Sequence, residues 1–289
     1  MTRVLALADW QFRARAHEAR VDAATQAHLG RRGAGRTHPV EDFLWTYYSL
    51  RPGQLRRWHP GPGVRLAEAA GMPRAGWRFY RAVTGGVEVD VDAFVAARRQ
   101  TLEWVLALLR ATQGRSPQLA CFGLHEWAMV YRQQPGALRH TGWSLRLGSR
   151  ATDAVVESHQ VRCTHDGAFR FFTPQARALN IVQPHRDSQI ELEQPGCLHA
   201  NMDLYRWAYR LAPAIPSELV MACLELARSA REIDMRSAPY DLRDLGYEPI
   251  RIETPDGKTE YVTAQRRIAD RAQGLRSQLI DACCAVLAQ

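Results

Sequence analysis

Lysine is almost missing from this chain. Lys258 is the only one, so 37 of the 38 basic residues are arginines. Chemistry through a lysine Schiff base therefore has a single candidate. That residue sits in Thr-Pro-Asp-Gly-Lys-Thr, which reads as an exposed hairpin turn, so lysine-based strand cleavage is not expected. No run approaches the ~18 apolar residues of a membrane span. The opening Met-Thr-Arg-Val-Leu-Ala-Leu-Ala-Asp-Trp loses its apolar character too early for a secretory signal. A cytoplasmic location with no membrane partner is the expectation. Also missing are a Walker loop, a dinucleotide fingerprint, a Gly-x-Ser-x-Gly elbow and a His-Glu-x-x-His motif, since His125-Glu126 is followed by Trp-Ala-Met. The six cysteines, at 121, 163, 197, 223, 283 and 284, are scattered, and reduced thiols are expected.

What is present is the composition of a soluble globular protein, 46% hydrophobic and 24% charged over 289 residues. The net charge of +8 favours an anionic partner such as nucleic acid, although the arginine skew also fits GC-rich coding. Periodicity and breakers predict a mainly α protein, a single compact helical domain over 1–289 with one or two small β-hairpins. An amphipathic helix fills the first 30 residues, and Gly30–His38 reads as a basic connector. Pro39 opens a helix carrying Phe43 to Tyr48, and Pro52–Gly63 is a loop. A hairpin fits 77–92 around Thr-Gly-Gly, and a second fits Ile250–Val262 around Pro-Asp-Gly. Further helices are expected at about 93–111, 151–166, 187–194, 198–211, 216–232 and 264–288.

Two segments set a histidine and a carboxylate among apolar and aromatic residues: Cys121–Arg132, with His125 and Glu126, and Cys197–Arg210, with His199 and Asp203. On a helix, His199, Asp203, Arg206 and Arg210 form one narrow stripe. The neighbours of that stripe are so apolar that the helix should be buried, with its charges paired or facing a cavity. His199 and Asp203, one turn apart, are placed to hydrogen-bond each other. Asp203 can instead pair with Arg206 or Arg210, and Glu126 with Arg132, as plain structural networks. The two Cys-x-His pairs, Cys163/His165 and Cys197/His199, with Glu126 as a further ligand, offer an alternative tetrahedral metal site, although their spacing is not a usual zinc pattern. The loop Arg51–His59 carries Arg51, Arg56, Arg57, Trp58 and His59, a set suited to phosphates and stacking, or to a packed tryptophan with solvated arginines. Pro60-Gly-Pro-Gly faintly echoes a phosphate-holding turn at a helix start. In Arg231–Arg243, Asp234 and Asp241 read chiefly as salt-bridged packing, with a site as the alternative.

At His38–Ser49, Leu55–Gly61, Cys121–Arg132, Cys197–Arg210 and Asp234–Leu242 the chain resembles the bacterial 3-methyladenine DNA glycosylase family over most of its length. The resemblance implies hydrolysis of the N-glycosidic bond of an alkylated purine in damaged duplex DNA, without a metal or other cofactor. A carboxylate, Glu126 or Asp203, would activate water or stabilise the sugar cation. His125 and His199 would orient it. The flipped base would lie among Trp45, Tyr48, Trp127, Tyr205 and Arg206. The loop residues Arg51, Arg56, Arg57, Trp58 and His59 would hold the DNA. A free nucleoside or nucleotide as substrate, a metalloenzyme and a non-catalytic nucleic-acid binder are the competing readings.

Overall fold

The structure, a computed structural model, describes residues 2–133 and 142–288. It is mainly α, with 58% of the described residues helical and 7% in strands. The helices are α1 (Leu7–Gly33), α2 (Phe43–Tyr47), α3 (Pro52–Leu55), α4 (Val91–Gln113), α5 (Leu124–Ala128), α6 (Gly148–Glu157), α7 (Asp166–Phe169), α8 (Pro174–Arg177), α9 (Gln189–Leu192), α10 (Leu198–Arg210), α11 (Ser217–Arg236) and α12 (Pro255–Leu287). The strands are β1 (Arg3–Leu5), β2 (Val64–Ala67), β3 (Tyr80–Val83) and β4 (Gly86–Val89). Among the described residues no helix is long and apolar enough to cross a membrane. The chain divides into two compact units: residues 1–109, 204–225 and 275–289, and residues 110–203 and 226–274.

In the first unit the strands form a sheet of order β1-β2-β4-β3, with β1 parallel to β2 and the other pairs antiparallel. The expected hairpin is β3–β4, with Gly85 in the left-handed region at its turn. Alternation sets its faces: Val87 and Val89 are buried, while Glu88 between them turns outward to Arg65 and Arg81. Helix α1 reaches the sheet through Trp10, whose Nε1 donates to the Ala67 carbonyl at 3.0 Å. It runs on to Gly33, taking in the first four residues of the stretch expected to be a connector. The next helix begins at Phe43 rather than Pro39, because Asp42 faces backward to accept from His38 N and Arg31 and to contact His28 Nδ1 at 3.0 Å. Pro60–Gly63 leads into strand β2, so the echo of a helix-start phosphate turn fails there.

The second unit contains α5 to α9 and the parts of α4, α10, α11 and α12 that lie within its residues. The expected hairpin at Ile250–Val262 is absent: Pro255 starts α12 instead. Thr254 Oγ1 accepts from Gly257 N at 3.1 Å, Pro255 takes the first helical turn, and Asp256 suits its positive end. Gly257 is needed because any Cβ there would collide with the Arg251 carbonyl. Lys258 consequently lies on a helix, its Nζ 5.8 Å from the Phe122 ring centre. The helix expected at 151–166 ends at Glu157. The stretch expected as a helix at 187–194 splits into a 3-10 turn (Arg186–Ser188) and the short α9.

Candidate metal centre

Helix α5 is only five residues long, and the backbone before it sets its direction. Phe122 and Gly123 both have positive φ, and at Gly123 a side chain would run into Ser237 Oγ. Trp127, one turn further on the same face, donates from Nε1 to the Ser237 carbonyl at 2.8 Å. Held at both points, α5 points His125 and Glu126 into the interior of the second unit, where each is about 3% exposed.

Four other stretches of this unit meet them. Helix α10 supplies His199 and Asp203, one turn apart, and α11 supplies Arg231 and Asp234, also one turn apart. His165 precedes α7, and Glu193 follows α9. All six of these side chains are buried. His125 Nε2 lies 2.7 Å from Asp234 Oδ1, and the two do not meet hydrogen-bond geometry. Asp234 Oδ2 and Glu126 Oε1 both take the Arg231 guanidinium, at 2.7 and 2.8 Å. His165 Nε2 is 3.3 Å from Glu193 Oε1 and 3.4 Å from Asp203 Oδ2. The ring of His199 stands between the other two imidazoles, its centre 4.6 Å from that of His125 and 5.3 Å from that of His165.

Two three-residue groups result, His125/His199/Asp234 and His165/Glu193/Asp203, in each of which the donor atoms lie within 4.8 Å of one another. Their electrostatics differ. Burial, reinforced by the nearby His125 and His165, holds the His199 imidazole well below its ordinary value, so it is neutral and keeps a free nitrogen lone pair. Burial also disfavours charge on His125, but the Asp234 carboxylate outweighs it and raises His125 well above the ordinary range. Asp234 itself is lowered: burial opposes its charge, and His125 and Arg231 prevail.

A cavity of about 10 Å³, with room for roughly one water, touches His125 and His199. Cys121, Cys163 and Cys197 also line it. Burial pushes the Cys163 and Cys197 thiols up, and among the described residues no cysteine sulfur belongs to either three-residue group. Cys163 Sγ donates instead to the His165 carbonyl. The Cys-x-His alternative is thereby replaced by a histidine–carboxylate set that retains His165 and His199. All six cysteines are free thiols.

The structure thus brings Glu126, His125, His199 and Asp203 into one unit, but pairs them differently from the helical stripe. Asp203 turns to His165 rather than to His199. Trp127 is fully buried in the core of the same unit. The other residues expected around a base belong to the first unit. There Trp45, Tyr48 and Tyr205 pack edge to face in its core, and the Arg206 guanidinium lies 4.5 Å from the Trp207 ring centre. Of the loop residues, Trp58 is buried and donates to Glu218, and Arg56 pairs with Asp22. The Arg51 backbone is tied to the Tyr209 hydroxyl, and Arg57 and His59 face a cleft. Glu193 falls within the helix expected at 187–194, and nothing in the sequence marked it as a site residue. Arg231 and Asp234 read in the sequence chiefly as salt-bridged packing, with a site as the alternative. Asp241 pairs with Arg243 near the surface, outside either group.

No family model, curated protein or solved structure matches this chain.

Proposed function

We propose that this protein is a metal-dependent hydrolase whose centre is built by His125, His199 and Asp234 together with His165, Glu193 and Asp203. The observation that carries the reading is the convergence of three imidazoles and three carboxylates, all buried, in two groups whose donor atoms lie within 4.8 Å. Burying so many ionisable groups is costly unless they pair or coordinate a metal. A nitrogen and oxygen donor set without thiolate suits zinc, manganese or iron. Arg231 would fix the far oxygen of Asp234, as outer partners of metal ligands do.

The water-sized cavity against His125 and His199 supports a centre with one open position, which is the hallmark of catalytic rather than structural sites. A divalent ion there would supply Lewis acidity and lower the pKa of water. The neutral His199 and the Arg231-held Asp234 would position that ion against the cavity. On the substrate side, the resemblance to DNA glycosylases favours an N-glycosidic bond of an alkylated base, in DNA or in a free nucleotide. In that reaction water is the co-substrate. Glu126, gripped by Arg231, then acts by positioning Arg231 and Asp234 rather than by touching the substrate.

The test is metal analysis of the purified chain, followed by base release from methylated DNA and from nucleotides with and without a chelator. About one to two ions per chain are expected, falling sharply in His199→Ala and in Asp203→Asn, and base release should require the ion. A chain that takes up no zinc, manganese or iron on reconstitution overturns the metal centre. Oxygen consumption by the iron form, with no base release, overturns the hydrolytic assignment.

A further inference from the structure

The first unit contains a cleft of about 490 Å³, within the size range of small-molecule sites. Arg57, Arg78, Arg98 and Arg210 line it, and no aspartate or glutamate does. The contrast with other arginines of the same unit is informative. Arg20, Arg56 and Arg81 each hold a carboxylate, at 2.6, 2.8 and 3.1 Å. Among the described residues Arg57, Arg78 and Arg98 hold none. Three guanidinia turned to one concavity without a counter-charge repel one another, and an anion with several acceptor oxygens relieves that repulsion.

The aromatic lining narrows the ligand further. Trp77, Phe79 and Tyr209 lie in the wall of the same cleft, with the Arg57 guanidinium 5.1 Å from the Trp77 ring centre and that of Arg78 4.5 Å from the Phe79 ring centre. Inorganic phosphate would use the arginines alone. A ligand that joins phosphates to a planar ring uses both halves of the lining. The loop that carries Arg57 is fixed from below: Trp58 Nε1 donates to Glu218, His59 N donates to Ser217 Oγ, and Arg74 donates to the Trp58 carbonyl. Arg57 is therefore presented by a rigid base.

We infer that this cleft is a nucleotide site, with the phosphates held by Arg57, Arg78 and Arg98 and the base set against the Trp77, Phe79 and Tyr209 wall. The nucleotide comes either free in solution or as one unit of a single strand, since both present the same chemistry. This inference is independent of the metal centre, which lies in the other unit.

Calorimetric titration of the full chain tests it, with adenosine diphosphate, pyrophosphate, adenosine and a twelve-nucleotide thymidine oligomer as probes. The diphosphate should bind at least about tenfold more tightly than pyrophosphate or adenosine, because each of these lacks half of the recognised groups. The double variant Arg57→Ala/Arg98→Ala should weaken it by about tenfold or more. Since neither arginine holds a carboxylate, the variant should keep the wild-type melting temperature, which separates lost binding from lost folding. If the oligomer binds more tightly than the diphosphate and is lost in the same variant, the site takes a strand and the inference stands. Equal affinity for diphosphate and pyrophosphate overturns base recognition. Binding unchanged in the double variant overturns the site.

Discussion

His125 Nε2 and Asp234 Oδ1 lie 2.7 Å apart in the interior of the second unit, and Asp234 is fully buried. The other oxygen of Asp234 faces Arg231, so one carboxylate serves both His125 and Arg231. Asp234→Ala leaves both without it and should cost about 3–5 kcal/mol, the usual penalty for stranding buried charge. Asp234→Asn keeps the shape and should cost less while still lowering metal content. Urea unfolding of the two variants measures the difference. A loss below about 1 kcal/mol for Asp234→Ala would show that the network is not the electrostatic core described above.

Trp127 separates a structural role from a substrate role. Its indole is enclosed and donates to the Ser237 carbonyl next to the glycine that orients α5. Trp127→Ala should therefore cost about 3–5 kcal/mol. Trp127→Phe, which fills most of the volume but strands the carbonyl, should cost about 1–3 kcal/mol. A tryptophan that clamped a base would instead lose activity with little change in the unfolding midpoint. Thermal and urea midpoints of both variants, read beside any base-release activity, decide between the two.

Sequence pattern reached the long helices and the β3–β4 hairpin because those rest on local periodicity and a Gly turn. It reached His125, Glu126, His199 and Asp203 as chemically charged points in apolar surroundings. Their pairings escaped it for a physical reason. His165 and Asp203 are 38 residues apart, and Glu193 follows a single-turn helix, so only the tertiary fold brings them together. Arg231 and Asp234, at i and i+3, look like any surface helix pair until burial is known.

The Pro-Asp-Gly segment was misread because the same three residues favour a hairpin turn and a capped helix start. The deciding neighbour is Thr254, whose hydroxyl accepts from Gly257 N. Thr254→Ala should cost about 1 kcal/mol through loss of that cap. Gly257→Ala should cost more, since the added methyl meets the Arg251 carbonyl. Measured unfolding free energies in the reverse order would refute this account of the start of α12.

His59 in the first unit is half-buried and affects stability through its own protonation. Burial, together with the nearby positive charge of Arg74, His17 and Arg57, pushes His59 down to about 3. Its Nδ1 lies 2.9 Å from the Tyr80 hydroxyl, a contact that suits the neutral ring. The unfolded chain binds this proton near pH 6.5, whereas the folded chain resists it until about pH 3. Protonation therefore favours unfolding. The stability that His59 supplies is complete above pH 6.5 and is lost progressively as the pH falls towards 3. His17 and His38 are also lowered and act in the same direction. The contribution of His59 is thus read as a difference between wild type and His59→Gln. At full burial each unit of separation is worth about 1.4 kcal/mol, and less here because the ring edge reaches the cleft. Urea unfolding at pH 7.5, 6.0 and 4.5 should show wild type losing more stability than His59→Gln over that range. Parallel losses in the two proteins would mean that His59 is protonated in the folded state as readily as in the unfolded chain.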